Sequence, residues 1–191
     1  MRWPSGRRTR MKPERVTLRD GTSAQVRQIR PDDAGLLRLG FEGLSDGSRT
    51  ARFLANKSAL TEEEIAYFTE VDHVDHEALV ASDLAEERGF GVARYIRSAD
   101  DPSRAEFAVV VVDDMHGSGL APLLLKRLAQ RARRAGVRHF EAHVLPSNRR
   151  MLDLAGRLWP VEQVSTEPGV THISLSIVPE RPWWKRVLRG A

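Results

Sequence analysis

Two neighbouring stretches carry residues whose types and spacing can do chemistry. In RAEFAVVVV (104–112) one carboxylate, Glu106, sits within a run that is otherwise apolar beyond Arg104. A carboxylate held on a strand can accept a proton from an attacking nucleophile if the reacting group can reach it. An ordinary charge on the open face of a strand has the same sequence signature. Directly afterwards, DDMHGSGLAPLLLKRLAQRARRAG (113–136) places Gly117 and Gly119 around Ser118 at the mouth of a long amphipathic segment. Glycine disfavours helix, so the pair marks a tight loop where the helix begins. A helix start offers unpaired backbone N–H groups and the positive end of the helix dipole, and together these attract an anion.

Several loop types bind anions in this way, and the residues narrow the choice. A dinucleotide fingerprint needs a third glycine and a place early in a βαβ unit. A P-loop needs a terminal Gly-Lys-Ser/Thr, which is absent. A hydrolase nucleophile elbow needs glycines two residues either side of Ser118, where His116 and Leu120 stand instead. A purely structural turn remains compatible with the two glycines. The six histidines invite a metal reading, with His73 and His76 or His139 and His143 as pairs. No thiol or carboxylate cluster accompanies them in the sequence, so no metal site is expected.

The elements that must position these residues follow from pattern. VTLRDGTSAQVRQIR (16–30) reads as a hairpin turning at Asp20-Gly21. Pro31-Asp32-Asp33 opens a helix carrying Leu36, Leu37 and Leu39 to Phe41, and a second helical stretch covers 47–54. Thr61 and Glu64 form a capping box for a helix that buries Ile65 and Phe68, with Tyr67 as a further candidate for burial. EALVASDL (77–84), GFGVARYI (89–96) and RAEFAVVVV then read as strands joined by short turns. The last is apolar on both parities at its end, as in a strand covered on both faces. A helix runs from the glycine loop to about Ala135, with Leu120, Leu124, Leu128 and Ala132 on one side. VRHFEAHV (137–144) is a strand, SNRRMLDLAGRL (147–158) a helix, and two strands close the chain within 161–178. The order predicts an α/β (α+β) sandwich around one mixed sheet, not a doubly wound array, because consecutive strands at 76–112 have only short turns between them.

Whole-chain properties set the frame. At 191 residues with 41% apolar content, one domain with flanking tails is expected. The formal charge is +4, but residues 1–15 carry +5 and residues 180–191 carry +3, leaving the 16–179 body at −4. The basicity therefore belongs to the tails, read as a disordered N-terminal extension and a Trp-containing C-terminal one, and nucleic acid is not an expected partner. Membrane-surface contact through RPWWKRVLRG is the weaker expectation for the second tail, beside packing on the domain or a subunit. There is no cysteine, no secretory h-region and no apolar run of a membrane span's length, which predicts a cytoplasmic protein.

The segment His116-Gly117-Ser118-Gly119-Leu120-Ala121 resembles the Q/R-x-x-G-x-G/A loop of the GNAT superfamily of N-acetyltransferases. The likeness extends to the GNAT domain of bacterial protein lysine acetyltransferases. It is carried by LRDG (18–21), VRQIRPDD (26–33), SRTARF (48–53), VDHVDHEALVA (71–81), GVARYIRSADDPSRAEFAVVV (91–111) and HVLPSNRRML (143–152). The resemblance implies a mostly antiparallel sheet, splayed where acetyl-CoA enters, and acetyl transfer to a primary amine such as a protein lysine. It implies Glu106 as general base, the diphosphate at His116 to Ala121, the pantetheine arm along Val109, Val110 and Val111, and Asn148 as cofactor support. A helix N-cap is an equal reading of Asn148. His73 and His76 would border the acceptor. Departures are His116 for the family's Gln or Arg, Ser118 for its frequent cation, and Ala155 where many members carry a tyrosine acid. His116 and Ala155, together with Trp159-Pro160 where a Gly-aromatic pair is usual, support a second reading, a weakly catalytic acetyl-CoA-binding or interaction module.

Overall fold

The computed structural model of the protein describes residues 10–178. Asp20 and Gly21 reverse the chain between β1 (Glu14–Thr17) and β2 (Ser23–Gln28), which pair antiparallel. Asp20 Oδ1 accepts the Thr22 N–H at 3.0 Å and closes the turn. A 3-10 turn at Pro31–Asp33 leads into α1 (Ala34–Glu42). Ser45 caps α2 (Asp46–Phe53), and the Thr61–Glu64 capping box starts α3 (Glu62–Thr69) as expected. Ile65 is buried, whereas Tyr67 is 53% exposed. Ile65, Phe68 and Thr69 share the inward helical face; Tyr67 falls on its flank and rests against the His76 ring at 5.2 Å.

Three consecutive antiparallel strands follow: β3 (His76–Ser82), β4 (Gly89–Arg97) and β5 (Arg104–Val111). Then come α4 (Leu120–Arg134), β6 (His139–Val144), α5 (Arg149–Leu158), β7 (Val161–Glu167) and β8 (Val170–Ser176). One eight-stranded sheet runs β1-β2-β3-β4-β5-β6-β8-β7. Every neighbouring pair is antiparallel except β5 with β6.

The two faces of the sheet are covered unequally. On one face α4 and α5 build the main core, where Leu120, Leu124, Leu125 and Leu128 are at most 1% exposed. Burial of each such leucine contributes about 1.5–3 kcal/mol. On the other face α1, α2 and α3 cover β3 to β5 with a much smaller cluster of Ile29, Leu36, Ala78, Val80 and Val92. The sparse packing there leaves a recess between helices and sheet. No described helix is long and apolar enough to cross a membrane.

The N-terminal boundary lies earlier than residue 16. Strand β1 starts at Glu14, the Met11 N–H donates to Gln28 Oε1 at 2.8 Å, and Glu14 pairs with Arg127 at 2.5 Å. Arg127 holds the Glu14 carboxyl below its ordinary range. Deleting residues 1–15 removes half of an edge strand together with this pair, so the melting temperature should drop by several degrees. A thermal melt of the truncated chain checks this. Residues 1–9 and the 180–191 tail expectation lie outside the described residues.

Candidate active site

The cleft begins where β5 and β6 part. Their parallel pairing runs only from Arg104–His139 to Glu106–Glu141, although β5 continues to Val111 and β6 to Val144. β6 instead pairs along its whole length with β8. Two contacts explain the geometry. At the closed end Arg104 Nη1 donates to Glu141 Oε1 at 2.6 Å and clamps the strands together. On the opposite face Phe107 stacks on Phe140 at 5.1 Å, with Trp159 edge-on to both. These bulky rings fill the point of divergence and hold the strands apart.

Among the described residues, β5 beyond Glu106 has a partner only on its β4 side. The Val112 N–H donates to Phe90 of the β4 side at 3.0 Å, so by strand alternation the amides of Val111 and Val109 point toward the gap. Val110 turns its side chain to the recess under α1. Val109 and Val110 are half-buried, so the expectation of a strand covered on both faces holds only for Val111 and Val112. The cause is the missing β6 neighbour.

At the end of β5 the chain enters the glycine loop. Gly117 and Gly119 have φ of 84° and 85°, a left-handed backbone that side chains strain. This curl leaves the N–H groups of Gly117, Gly119 and Ala121 without hydrogen bonds among the described residues, at the start of α4. Such converging donors suit a diphosphate. Leu120 is fully buried and anchors the helix start in the core.

Two loop side chains behave differently from the sequence expectation. The Ser118 hydroxyl is buried, donates to the Met115 carbonyl at 2.7 Å and accepts the Leu120 N–H at 3.3 Å. It shapes the loop from inside instead of facing an anion. The His116 ring is tied to the end of β5, its Nε2 at 3.0 Å from the Val111 carbonyl. That carbonyl can only accept, so the ring donates through Nε2 and is a fixed prop of the cleft wall. A cation that sequence reasoning missed stands beside the loop. The Arg19 N–H donates to the Ser118 carbonyl at 2.9 Å, and its side chain lies over Gly119. The only sequence sign of it was LRDG, a hairpin turn remote in the chain.

Glu106 stands at the apex of the cleft, opposite Ile96 on β4 and Glu141 on β6. Its side chain is 62% exposed, with Oε1 3.8 Å from His143 Nδ1. His143 rests against His172 at 5.0 Å, while His139 pairs with Glu162. Asn148 lies on the far wall as the N-cap of α5, its Oδ1 accepting the Met151 N–H at 3.2 Å. The capping reading of Asn148 is thus the one with a visible contact. Ala155 is buried in the main core, so that position offers no acid.

His76 meets Arg94 Nη1 through its Nε2 at 3.1 Å, which makes Nε2 the acceptor and places the ring proton on Nδ1. Burial first, then the Arg94 charge, depresses its pKa to about 4. His73 turns away to Glu77 at 2.8 Å; neither histidine lines the recess, and His76 meets its wall through Arg94. The depressed value has a consequence for stability. Between about pH 6.5 and 4 the unfolded chain binds a proton at His76 that the fold refuses, so stability falls as pH drops through that window. His76→Gln should flatten the fall by roughly 1–2 kcal/mol after solvent screening. Melts at pH 7 and pH 4.5 on both proteins measure it.

A family model described as the acetyltransferase (GNAT) family matches residues 48–158. The fold superposes on the crystal structure of the GNAT domain of S. lividans PAT with a TM-score of 0.79 and 34% identity, covering 86% of this chain and 96% of that one. In sequence the chain is 29% identical over 170 residues to Acetyltransferase Pat of Mycolicibacterium smegmatis, covering 87% of this chain. It spans 50% of that relative's length. It is 30% identical over 149 residues to an acetyltransferase of Pseudomonas aeruginosa, covering 77% of this chain and 80% of the relative.

Proposed function

The chain belongs to the acetyltransferase (GNAT) family, and we propose that it is an N-acetyltransferase that moves the acetyl group of acetyl-CoA to a primary amine by direct attack, with Glu106 as the general base. The observation that carries this reading is the coincidence of three features at one place. These are the splay that begins just past Glu106, the outward amides of Val109 and Val111, and the unpaired N–H groups of Gly117, Gly119 and Ala121.

In this reading the diphosphate lies against residues 116–121, where the helix dipole adds roughly 0.3–2 kcal/mol and Arg19 supplies the cation that Ser118 lacks. The pantetheine arm runs along Val109 to Val111 inside the gap, and Asn148 borders it from the far wall. The amides facing the gap polarise the thioester carbonyl. A protonated amine gives its proton to Glu106, directly or through a water at this open carboxylate. Its lone pair then forms the C–N bond while the C–S bond breaks. With Ala155 buried, the second proton, shed by the acylated nitrogen, passes through water to the departing thiolate. A protein lysine is the acceptor that the family resemblance implies, and any neutralised primary amine satisfies the chemistry just described.

A free-thiol assay with acetyl-CoA and a panel of amines and lysine peptides tests transfer. Release of stoichiometric CoA with an acetylated amine supports it. Calorimetric binding of acetyl-CoA without thiol release from any amine would instead support the weakly catalytic binding module.

A further inference from the structure

The recess between the sheet and α1 to α3 is walled by apolar groups such as Leu37, Phe53, Phe68 and Val92, yet two guanidinium groups also line it, Arg52 from α2 and Arg94 from β4. The third charged group on its wall, Asp33, is already neutralised. Both its oxygens accept from Arg27 at 2.7 Å, and one also takes the Arg30 N–H. Arg52 and Arg94 have no such partner, for neither makes an ion pair among the described residues. Arg94, 5% exposed, donates to His76 Nε2 and the Phe68 carbonyl, its guanidinium 4.4 Å from the Phe68 ring centre. Arg52 lies over the Phe53 and Phe68 rings at 5.0 and 5.9 Å.

Two cations sharing the apolar walls of one recess are costly unless an anion joins them. Burial, then the charge of Arg52, pushes the Arg94 guanidinium down to about 9. Burial also lowers Arg52, and the Glu106 carboxylate is the negative group that opposes this. Arg94 pairs with Ala108 across the strands and Ile96 with Glu106, so Arg94 is the diagonal neighbour of Glu106 on the same sheet face. That diagonal spans about 7–8 Å, the length of one small molecule.

We propose that this recess is the acceptor pocket and that Arg52 and Arg94 hold the acceptor's carboxylate, so that the amine substrate is a small amino acid with an apolar side chain. The carboxylate pairs with the guanidinium groups, the side chain fills the apolar walls, and the amine is left toward Glu106. A lysine side chain brings no anion into the recess and sets its own ammonium against two uncompensated cations. This assignment rests on the transfer reading only for its use of Glu106.

Product binding tests it without turnover. N-acetyl-L-leucine and its carboxamide, N-acetyl-L-leucinamide, are titrated calorimetrically into the wild type, Arg52→Met and Arg94→Lys, with acetyl-CoA binding as the check that each variant is folded. The acid should bind the wild type at least 10-fold more tightly than the amide, and Arg52→Met should bring the ratio near one. Arg94→Lys, which keeps the charge but not the fork, should leave an intermediate ratio. Equal affinities in the wild type, or a ratio untouched by Arg52→Met, overturn the proposal. The two readings fail separately. Acid preference without thiol release from L-leucine or any other amine removes transfer and leaves the pocket. Thiol release from lysine peptides with equal acid and amide affinities removes the pocket and leaves transfer.

Discussion

Glu106→Gln should lower kcat by roughly 10²- to 10⁴-fold, the range expected when a general base is lost. The substitution keeps shape and hydrogen bonding but cannot accept a proton. Acetyl-CoA affinity should stay within about a factor of two, because the donors assigned to the cofactor lie on Val109 to Val111 and the glycine loop. A kcat effect of this size with unchanged cofactor binding marks an interaction made in the transition state. Fold stability should hardly change, since the side chain is 62% exposed and its nearest ionic neighbour is 3.8 Å away. Steady-state kinetics beside calorimetry decide it. A Gln variant turning over at the wild-type rate would reduce Glu106 to a solvated charge on a strand end.

Gly117→Asp should weaken acetyl-CoA binding by 100-fold or more, at a cost to the fold of about 1–3 kcal/mol because its φ of 84° is left-handed. A Cβ at Gly117 meets nothing within 4 Å, so the new carboxylate enters open space where the diphosphate is proposed to lie. Two like charges meeting at a desolvated helix start are worth several kcal/mol. Gly119→Asp should abolish binding as well, at a larger cost to the fold. Its Cβ comes within 3.1–3.2 Å of the Arg19 side chain on a backbone with φ of 85°. Strain of this kind costs about 1–3 kcal/mol. Arg19→Ala, by contrast, should weaken acetyl-CoA and leave the affinity of S-acetyl-pantetheine, which has no diphosphate, unchanged. Calorimetry on the three variants settles the assignment, and unchanged affinity in Gly117→Asp removes the diphosphate from this loop.

Signals that act within a few residues were legible in the chain itself. The Asp20-Gly21 turn, the Thr61–Glu64 box, the leucine stripe of α4 and the paired glycines each dictate their conformation locally. They therefore determined the element order, the mixed sheet and the site of the loop. The same residues did not reveal which way a side chain faces once strands pair. Ser118 turned inward because the Met115 carbonyl and Leu120 N–H were both within its reach, and His116 turned to a Val111 carbonyl that β6 leaves uncovered. Arg19 reached Gly119, about a hundred residues away in sequence, only through packing of the first hairpin on the loop. Arg52 and Arg94 belong to a helix and a strand whose own patterns say nothing of a shared recess. Helix α2 and strand β4 meet there because α1 to α3 cover one sheet face sparsely, and no local pattern encodes a gap left by tertiary packing. The splay itself is of this kind, since it needs Phe107, Phe140 and Trp159 from three separate elements to meet at one point.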